Sequence, residues 1–284
     1  MPLLYLSYNS DNININILKP VIPFRLKNSK YKSCLKVGLL AASLLILFAF
    51  QQRNKITVYL IGDSTMADKE VIAYPETGWG MPFHYFFDST VTVDNRAKNG
   101  RSTRTFIEEG RWQPVVDNLH EGDYVLIQFG HNDEVPTKKS YTTPADFTAN
   151  LEKFVNESRS KKAIPVLITP VARRKFDSTG KIEETHAIYT QLVKEVAKKL
   201  NVSLIDLDKE SQELVQQFGP DDSKYLYNYL DPGENPHYPG GHADGTHFSE
   251  LGARKMAEIV LHDIQKLNLG LAERIRVVHQ KEKK

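Results

Sequence analysis

Cysteine is almost absent from this chain. The single cysteine among the 284 residues is Cys34, which precedes the region where a folded domain becomes recognisable at Lys55. That region has no thiol, so disulfides, cysteine-ligated zinc and a cysteine nucleophile are all excluded for it. Cys34 also lies before the apolar run 37–50, whereas a lipoprotein cysteine would have to follow such a run.

A hydrophobic run long enough to span a membrane is also lacking. The uncharged run 37–50 has 14 residues, fewer than the about 20 that a transmembrane helix needs. Four lysines precede it: Lys27, Lys30, Lys32 and Lys36. This pattern predicts a basic leader over 1–54 with a signal peptide, and hence an exported protein, periplasmic or extracellular. No clean cleavage signal precedes Gln51, so a retained signal anchor stays open, as does the less favoured buried core helix. The late position of the run favours a start codon downstream of Met1.

Excess positive charge is missing from the body of the chain. The net charge of the whole chain is +2, but residues 1–55 hold eight basic side chains and one acidic one. Residues 56–284 therefore carry 29 basic and 34 acidic side chains, a net charge of −5. An acidic body without a basic stripe argues against nucleic acid as a partner, and membrane contact is expected only through an uncleaved leader. Residues 271–284 are predicted to form a solvated basic tail.

A repeating strand-then-helix pattern begins at Lys55. Short β-branched runs predict strands at Thr57–Ile61, Thr90–Asn95, Tyr124–Phe129, Pro165–Thr169 and Ser203–Leu207. Periodic apolar positions predict helices over 144–160, 183–200 and 250–267. This alternation predicts an α/β protein, a three-layer α/β/α sandwich with a five-stranded parallel sheet, in one domain over 55–270. Functional residues are then expected at the carboxyl ends of the strands.

A serine and an Asp-x-x-His segment supply the parts of a nucleophile and its base. Ser64 directly follows the first predicted strand, on a turn preceded by Gly62 and Asp63. Asp244 precedes His247 by three residues, a spacing at which the carboxylate can hold the imidazole and leave Nε2 free as a base. Either segment alone is also typical of an ordinary turn or surface loop. Together they predict the catalytic triad Ser64, Asp244 and His247.

Two further segments follow the second and third predicted strands. One contains Gly100, whose backbone N–H can point into the site, and the other contains Asn132, whose side-chain amide can do the same. An oxyanion hole needs two or three preorganised donors. The N–H of Ser64, the N–H of Gly100 and the amide of Asn132 are the predicted set.

The sequence resembles the SGNH (GDSL) hydrolase superfamily through the blocks that contain Ser64, Gly100, Asn132 and His247. The longer wording is similar to the rhamnogalacturonan acetylesterases of bacteria: Gly-Asp-Ser-Thr at 62–65, Gly-Trp-Gly at 78–80, Asn-x-Ala-x-x-Gly-Arg-Ser-Thr at 95–103, Gln-Phe-Gly-His-Asn-Asp at 128–133, Thr-Pro-Val-x-Arg-Arg at 169–174, Leu-Ile-Asp-Leu at 204–207 and Thr-His-Phe-x-x-x-Gly-Ala at 246–253. The resemblance covers about residues 57–262.

This resemblance implies a flavodoxin-like sheet, no cofactor, and hydrolysis of acetyl esters on a pectic polysaccharide. It also implies that Ser64, Gly100 and Asn132 form the oxyanion hole. A lipase or thioesterase on the same fold remains the alternative among enzymes. A non-catalytic surface protein that binds sugar is the alternative of another class, although such a protein would have no need of the triad.

The candidate substrate-binding residues are Trp79, His131, Arg173 and Tyr229. An arginine after the fourth strand could meet a uronate carboxylate or could lie solvated in a loop. Segment 219–243 departs from the family pattern, and its tyrosines could equally stack on sugar rings or pin a long loop. His237, His242 and His247 recur every five residues, but this spacing fits no usual zinc motif, so no metal site is predicted.

The segments expected around Ser64 are polar, which favours a small acyl group over a long one. They are 69–70, 95–104, 131–139, 173–175 and 219–243. A lipase would need an apolar groove there to bury a long chain.

Overall fold

The computed structural model describes residues 54–276, and its centre is a parallel sheet of five strands. The strands are β1 (Ile56–Gly62), β2 (Val91–Asn95), β3 (Tyr124–Gln128), β4 (Ile164–Ile168) and β5 (Ser203–Ile205). They lie in the order β2-β1-β3-β4-β5, with every pair parallel. This is the flavodoxin-like order, so the predicted sheet is confirmed.

Helices cover both faces of the sheet. They are α1 (Thr103–Glu108), α2 (Gln113–Asn118), α3 (Pro144–Ser160), α4 (Ala187–Leu200), α5 (Leu207–Asp222, broken at Gly219) and α6 (Glu250–Lys266). Alternate residues of β1, β3, β4 and β5 enter two separate apolar cores, whereas β2 contributes only to one of them. Leu60 packs in the core shared with α5 and α6, whereas Ile61 packs in the core shared with α1 to α4. The predicted three-layer sandwich is confirmed.

Several predicted boundaries differ from the structure. The fifth strand ends at Ile205, and Leu207 begins helix α5. The sequence did not predict α5, because this helix has few apolar residues. Helix α4 starts at Ala187 rather than at 183. Ile188 and Leu251, which were assigned to the apolar faces of their helices, are exposed. Both lie in the first turn of a helix, but the residues that this turn buries are Tyr189 and Thr190 in α4 and Gly252 and Ala253 in α6.

The predicted start of the basic tail at 271 is wrong. A 3₁₀-helix, Gly270–Arg274, buries Leu271 completely. Ile275 then forms a β-bridge with Phe87, and the N–H of Arg276 donates to the carbonyl of Phe86. The folded region therefore extends at least to Arg276, because these residues close the edge of the core beneath β2.

The leader over 1–54 and the tail beyond 276 fall almost entirely outside the described residues. Within 54–276, none of the helices is both long and apolar enough to cross a membrane.

Segment 219–243 is more ordered than a long loop. It contains a 3₁₀-helix, Ser223–Leu226, and strand β6 (Tyr227–Leu230), which pairs antiparallel with β7 (His242–Phe248). Tyr227 is buried, and its hydroxyl donates to the carbonyl of Ala172. This tyrosine therefore pins the segment to the body of the protein, whereas Tyr225 is exposed.

Candidate active site

Ser64 lies two residues beyond β1, on a turn that Asp63 organises. The carboxylate of Asp63 accepts from the N–H and the hydroxyl of Thr65, at 3.0 and 2.8 Å. Its main-chain carbonyl accepts from the N–H groups of Met66 and Ala67. Asp63 is fully buried, and this burial raises its pKa above the ordinary value. The tripeptide around Ser64 is thus fixed from its own sequence neighbours.

A bulge in the β6–β7 hairpin brings Asp244 and His247 together. Asn228 pairs with Asp244 while the adjacent Tyr227 pairs with Phe248, so residues 245–247 have no opposite partner on β6. A bulge bends its strand and redirects side chains. Here it lets Oδ1 of Asp244 accept from the N–H groups of Thr246 and His247, at 2.7 and 3.1 Å. The spacing of three residues between Asp244 and His247 falls on this bulge.

Ser64, His247 and Asp244 form one hydrogen-bonded chain. Nδ1 of His247 lies 2.6 Å from Oδ2 of Asp244, and Nε2 of His247 lies 2.8 Å from Oγ of Ser64. Because a carboxylate only accepts, Nδ1 carries the proton and Nε2 is left to accept from the serine hydroxyl. Burial alone would raise the pKa of Asp244, but the bonds and the charge of His247 outweigh it and hold this pKa well below its ordinary value.

A turn after β2 lies beside this chain. The N–H of Lys98 donates to the carbonyl of Gly62, and the N–H of Arg101 donates to the carbonyl of Lys98. Gly100 has φ +76°, the value that position i+2 of a type II turn requires and that glycine adopts without strain. The turn after β2 is therefore joined directly to the residues that present Ser64.

Asn132 lies beyond the carboxyl end of β3, where Gln128 pairs with Gly62 of β1. Its Nδ2 donates to the carbonyl of Arg101 at 3.2 Å. An amide nitrogen carries two hydrogens, and this bond uses one of them. The three predicted oxyanion donors thus belong to three neighbouring loops at one edge of the sheet, and their role remains a prediction.

Lys69 and Glu76 belong to the site although no spacing in the sequence singled them out. Lys69 was expected on a polar rim, but its side chain is fully buried and its ammonium lies 2.6 Å from Oε1 of Glu76. The same ammonium donates to the main-chain carbonyl of Ser64 and to Oδ1 of Asn99. No pattern in the sequence indicates these partners, because they come from three separate segments.

Two of the predicted substrate contacts are wrong. Trp79 is fully buried, and its Nε1 donates to Oε1 of Gln128 at 2.6 Å. Its main-chain N–H donates to the carbonyl of Thr65, so this residue supports the serine turn from beneath. His131 is also buried, with its ring centroid 4.3 Å from that of His186. Both side chains are enclosed by the protein, so neither is presented to a polysaccharide at the surface.

Burial gives His131 a defined electrostatic state. Burial, followed by the positive charges of His186 and Arg173, holds the pKa of His131 well below its ordinary value. His186 in turn lies 2.8 Å from Oε2 of Glu134 through its Nδ1. His131 is therefore neutral at physiological pH and forms part of the packing beneath Asn132.

Arg173 and Tyr229 are partly exposed, but their polar groups already have partners in the protein. Arg173 pairs with Glu134 at 3.1 Å and donates to the hydroxyl of Thr246. The guanidinium of Arg174 lies over the ring of Tyr229 and donates to its hydroxyl. These contacts hold the bulge of β7 against the loop after β4. A role of Arg173 and Tyr229 in substrate binding remains a prediction.

Of the three recurring histidines, His242 and His247 both lie beside Oδ2 of Asp244, at 3.8 and 2.6 Å, whereas His237 lies elsewhere. Nδ1 of His237 lies 3.0 Å from the carbonyl of Tyr74, whereas His242 lies 3.8 Å from Asp244 and stacks on Tyr238. Among residues 54–276, no three His, Cys, Asp or Glu side chains are grouped closely enough to hold a metal ion.

The arrangement can perform acyl transfer. A serine hydroxyl within hydrogen-bond distance of a histidine, which is itself held by a carboxylate, is an activated nucleophile. The loops that carry Gly100 and Asn132 supply candidate donors for an oxyanion. Each member of the constellation follows a strand of the sheet or lies on the hairpin that closes over its edge.

Comparison with known proteins supports this chemistry. Residues 60–255 match the model of the GDSL-like lipase/acylhydrolase family. A rhamnogalacturonan acetylesterase of Bacillus subtilis (strain 168) is 43% identical over 224 residues, which are 78% of this chain and 95% of that relative.

Two solved structures share the fold. Protein YxiM from Bacillus subtilis superposes with a TM-score of 0.66 at 25% identity, over 76% of this chain and 58% of that one. Axe2, an acetylxylan esterase from Geobacillus stearothermophilus, superposes with a TM-score of 0.54 at 20% identity, over 74% of this chain and 94% of that one. The second likeness concerns the fold alone.

Proposed function

Because the chain belongs to the GDSL-like lipase/acylhydrolase family, we propose that it is a serine esterase that removes O-acetyl groups from rhamnogalacturonan, a pectic polysaccharide. The observation that carries the reaction type is the hydrogen-bonded chain Ser64–His247–Asp244. The substrate is supported by the 43% identity to a relative that is a rhamnogalacturonan acetylesterase, an identity that extends over nearly the full length of that relative.

The mechanism follows from the geometry. Nε2 of His247 takes the proton of the Ser64 hydroxyl as Oγ attacks the acetyl carbonyl, and Asp244 stabilises the imidazolium that forms. The N–H groups of Ser64 and Gly100 and the amide of Asn132 stabilise the negative oxygen of the tetrahedral intermediate. His247 then gives its proton to the departing sugar oxygen. Water, deprotonated by His247, releases acetate and restores Ser64.

The two alternatives are less well supported. A sugar-binding protein without activity has no use for a serine whose hydroxyl is held by a carboxylate-bound histidine. A lipase needs an apolar groove beside the serine, whereas the hydrogen-bonded neighbours of Ser64 are His247, which Asp244 holds, and Lys69, all of them polar. A short acyl group on a hydrated sugar fits these surroundings.

The deciding experiment measures acetate release from acetylated rhamnogalacturonan and from acetylated xylan, side by side. We expect release from rhamnogalacturonan to be faster. Ser64→Ala should lower kcat on the order of 10⁴-fold or more, as for other triad nucleophiles. Ser178→Ala, in an exposed turn, is the matched control and should match the unaltered enzyme.

The outcomes separate the two parts of the proposal. Faster release from xylan would replace the substrate but keep the esterase. A Ser64→Ala variant that retains a tenth of the activity would remove Ser64 as the nucleophile, and an inactive unaltered protein would favour the sugar-binding alternative.

Export is a second proposal, and it rests on residues that the structure does not describe. The uncharged run 37–50 and the four lysines before it support a leader that directs the protein across a membrane. An extracellular or periplasmic location also suits an enzyme whose proposed substrate is a cell-wall polysaccharide.

A further inference from the structure

Lys69 is a buried cation directly behind the proposed nucleophile. Its ammonium lies 2.5 Å from the main-chain oxygen of Ser64, 3.0 Å from Oδ1 of Asn99 and 2.6 Å from Oε1 of Glu76. A lysine ammonium has three N–H donors and no acceptor. All three partners are acceptors, so the protonated form satisfies every bond and the neutral amine would leave one oxygen without a donor.

A buried ion pair of this kind is poorly explained by stability alone. Burial lowers the pKa of Lys69, opposed by the hydrogen bond and the charge of Glu76. Replacing such a pair with apolar side chains of similar volume is often neutral or stabilising, because two charges have been taken out of water. The burial of Lys69 is therefore better explained by the groups that its ammonium holds in place.

Lys69 joins the two loops that carry backbone donors. Ser64 belongs to the loop after β1, and Asn99 is position i+1 of the turn whose next residue is Gly100. The carbonyl of Asn99 accepts from Nη1 of Arg101 at 2.8 Å. In a trans peptide the carbonyl and the following N–H point in opposite directions, so the N–H of Gly100 faces away from that guanidinium. The direction of this N–H therefore depends on how the Asn99 residue is held.

We infer that Lys69 is a positioning residue that fixes the turn containing Asn99 and Gly100 against the Ser64 backbone, and so preorganises the oxyanion donors. The inference rests on the proposed esterase function. Lys69 does not touch the substrate; it acts through Asn99. Electrostatic stabilisation of a transition state depends on donors that are already aimed before the reaction, and a turn free to reorient its central peptide would lose that aim.

The test measures kcat and KM separately on p-nitrophenyl acetate. Lys69→Met should lower kcat about 10²-fold, comparable to the loss of one oxyanion donor, and should change KM less than about threefold, because the donors act mainly in the transition state. Asn99→Ala leaves the Lys69–Glu76 pair in place and should lower kcat about tenfold to 10²-fold on the same grounds. Lys194→Met removes another lysine ion pair, to Asp206, and should leave kcat unchanged.

The double variant distinguishes positioning from general damage. If Lys69 acts through Asn99, the Lys69→Met/Asn99→Ala enzyme should have a kcat within about threefold of that of Lys69→Met, since residues that act as a unit are not additive. Independent effects would multiply, and that result would overturn the inference. If Lys69→Met does not fold, Asn99→Ala decides alone, and an unchanged kcat overturns the inference.

The unaltered enzyme and Ser64→Ala are measured in the same assay. If the unaltered enzyme is active and Ser64→Ala abolishes that activity, the proposed function stands. If neither Lys69→Met nor Asn99→Ala then changes kcat, the positioning role is refuted. No activity in the unaltered enzyme would refute both.

Discussion

At the scale of single residues, the candidate site is built from polar groups withdrawn from water. Asp63, Lys69, Asn132 and Asp133 are all buried. A buried polar group is costly unless it is hydrogen-bonded, and each of these side chains has partners that restrict its position, although Oδ2 of Asp63 and Oδ2 of Asp133 have none among the described residues. This rigidity is what an oxyanion site requires, because donors that must reorient during the reaction stabilise the transition state less.

Asn132→Ala tests the amide donor. We expect kcat to fall roughly 10²–10³-fold with little change in KM, because the amide meets a charge that exists mainly in the transition state. Steady-state kinetics on p-nitrophenyl acetate measure both constants. Asn156→Ala, at an exposed position of α3, is the matched control. A raised KM with an unchanged kcat would instead assign Asn132 to ground-state binding.

At the scale of elements, hydrogen bonds and close backbone contacts hold the first turns of helices against neighbouring segments. Asp133, five residues after the end of β3, accepts from the N–H and the hydroxyl of Thr103, at 2.9 and 2.6 Å, and so holds the first residue of α1. Gly252, in the first turn of α6, lies against the main chain of Leu226, which precedes β6. Both contacts place an element that carries or supports a site residue.

Asp133 makes stability depend on pH. Burial raises the pKa of Asp133 to about 7, whereas an unfolded aspartate titrates near 4. Between these values the folded state holds a proton that the unfolded state has lost, so the free energy of unfolding falls as pH rises, by at most about 1.4 kcal/mol per pH unit. Below about pH 4 both states are protonated, and this contribution no longer changes with pH.

Asp133→Asn removes this titration. The stability of the variant relative to the unaltered protein should therefore increase steadily from about pH 4 to about pH 7 and then level off. Urea unfolding at a series of pH values measures it. A difference between the two proteins that does not vary over this range would show that Asp133 has no raised pKa.

Gly252→Ala tests the closest helix-to-backbone contact. A Cβ at Gly252 would lie 1.7 Å from the carbonyl oxygen of Leu226, so α6 must shift away. We expect a loss of about 1–3 kcal/mol or more, as for other overpacked sites, measured as a lower Tm. Gly240→Ala, whose Cβ would meet nothing within 4 Å, should change Tm little. Equal Tm values for the two variants would contradict this account of the helix contact.

At the scale of the whole molecule, the sheet order and the hairpin determine what surrounds Ser64. The parallel order brings the ends of β1, β2 and β3 to one edge, and β6–β7 closes over it. The result is a site at the edge of the sheet, with one large apolar core on each face of the sheet. Substrate size depends on this arrangement, whereas the proposed export of the protein depends on the run 37–50, outside the described residues.

Acyl length is the first prediction at this scale. Each methylene removed from water contributes about 0.8 kcal/mol, but only if an apolar surface receives it, and the segments expected around Ser64 are polar. We expect kcat/KM for p-nitrophenyl acetate to exceed that for the butyrate at least tenfold, with the octanoate hardly cleaved. Activity that rises steadily from acetate to octanoate would favour the lipase alternative.

Processing of the leader is the second prediction at the scale of the whole molecule. If the run 37–50 is the apolar part of a signal peptide, N-terminal sequencing of protein from the native host should begin near residues 50–56. An intact Met1 end in the membrane fraction would indicate a signal anchor. An intact Met1 end in soluble cytoplasmic protein would contradict export.

The sequence by itself determined the features that depend on local pattern. The alternation of β-branched runs and periodic apolar positions was enough to predict the five parallel strands and the helix Pro144–Ser160. Ser64, Asp244 and His247 were found because two lie three residues apart and the third follows a strand. The placement of Ser64 at the edge of the sheet followed from the rule that parallel strands end together, whereas Asp244 and His247 lie on the antiparallel β6–β7 hairpin.

Only the tertiary structure decided which polar side chains are buried. Trp79 and His131 were expected to bind substrate, yet both are buried, whereas Lys69 was expected on the rim and lies behind Ser64. The reason is physical: burying a polar group requires partners, and those of Lys69 come from Ser64, Glu76 and Asn99, which only the packed sheet brings together. The spacing of these residues in the sequence therefore does not predict that they contact one another.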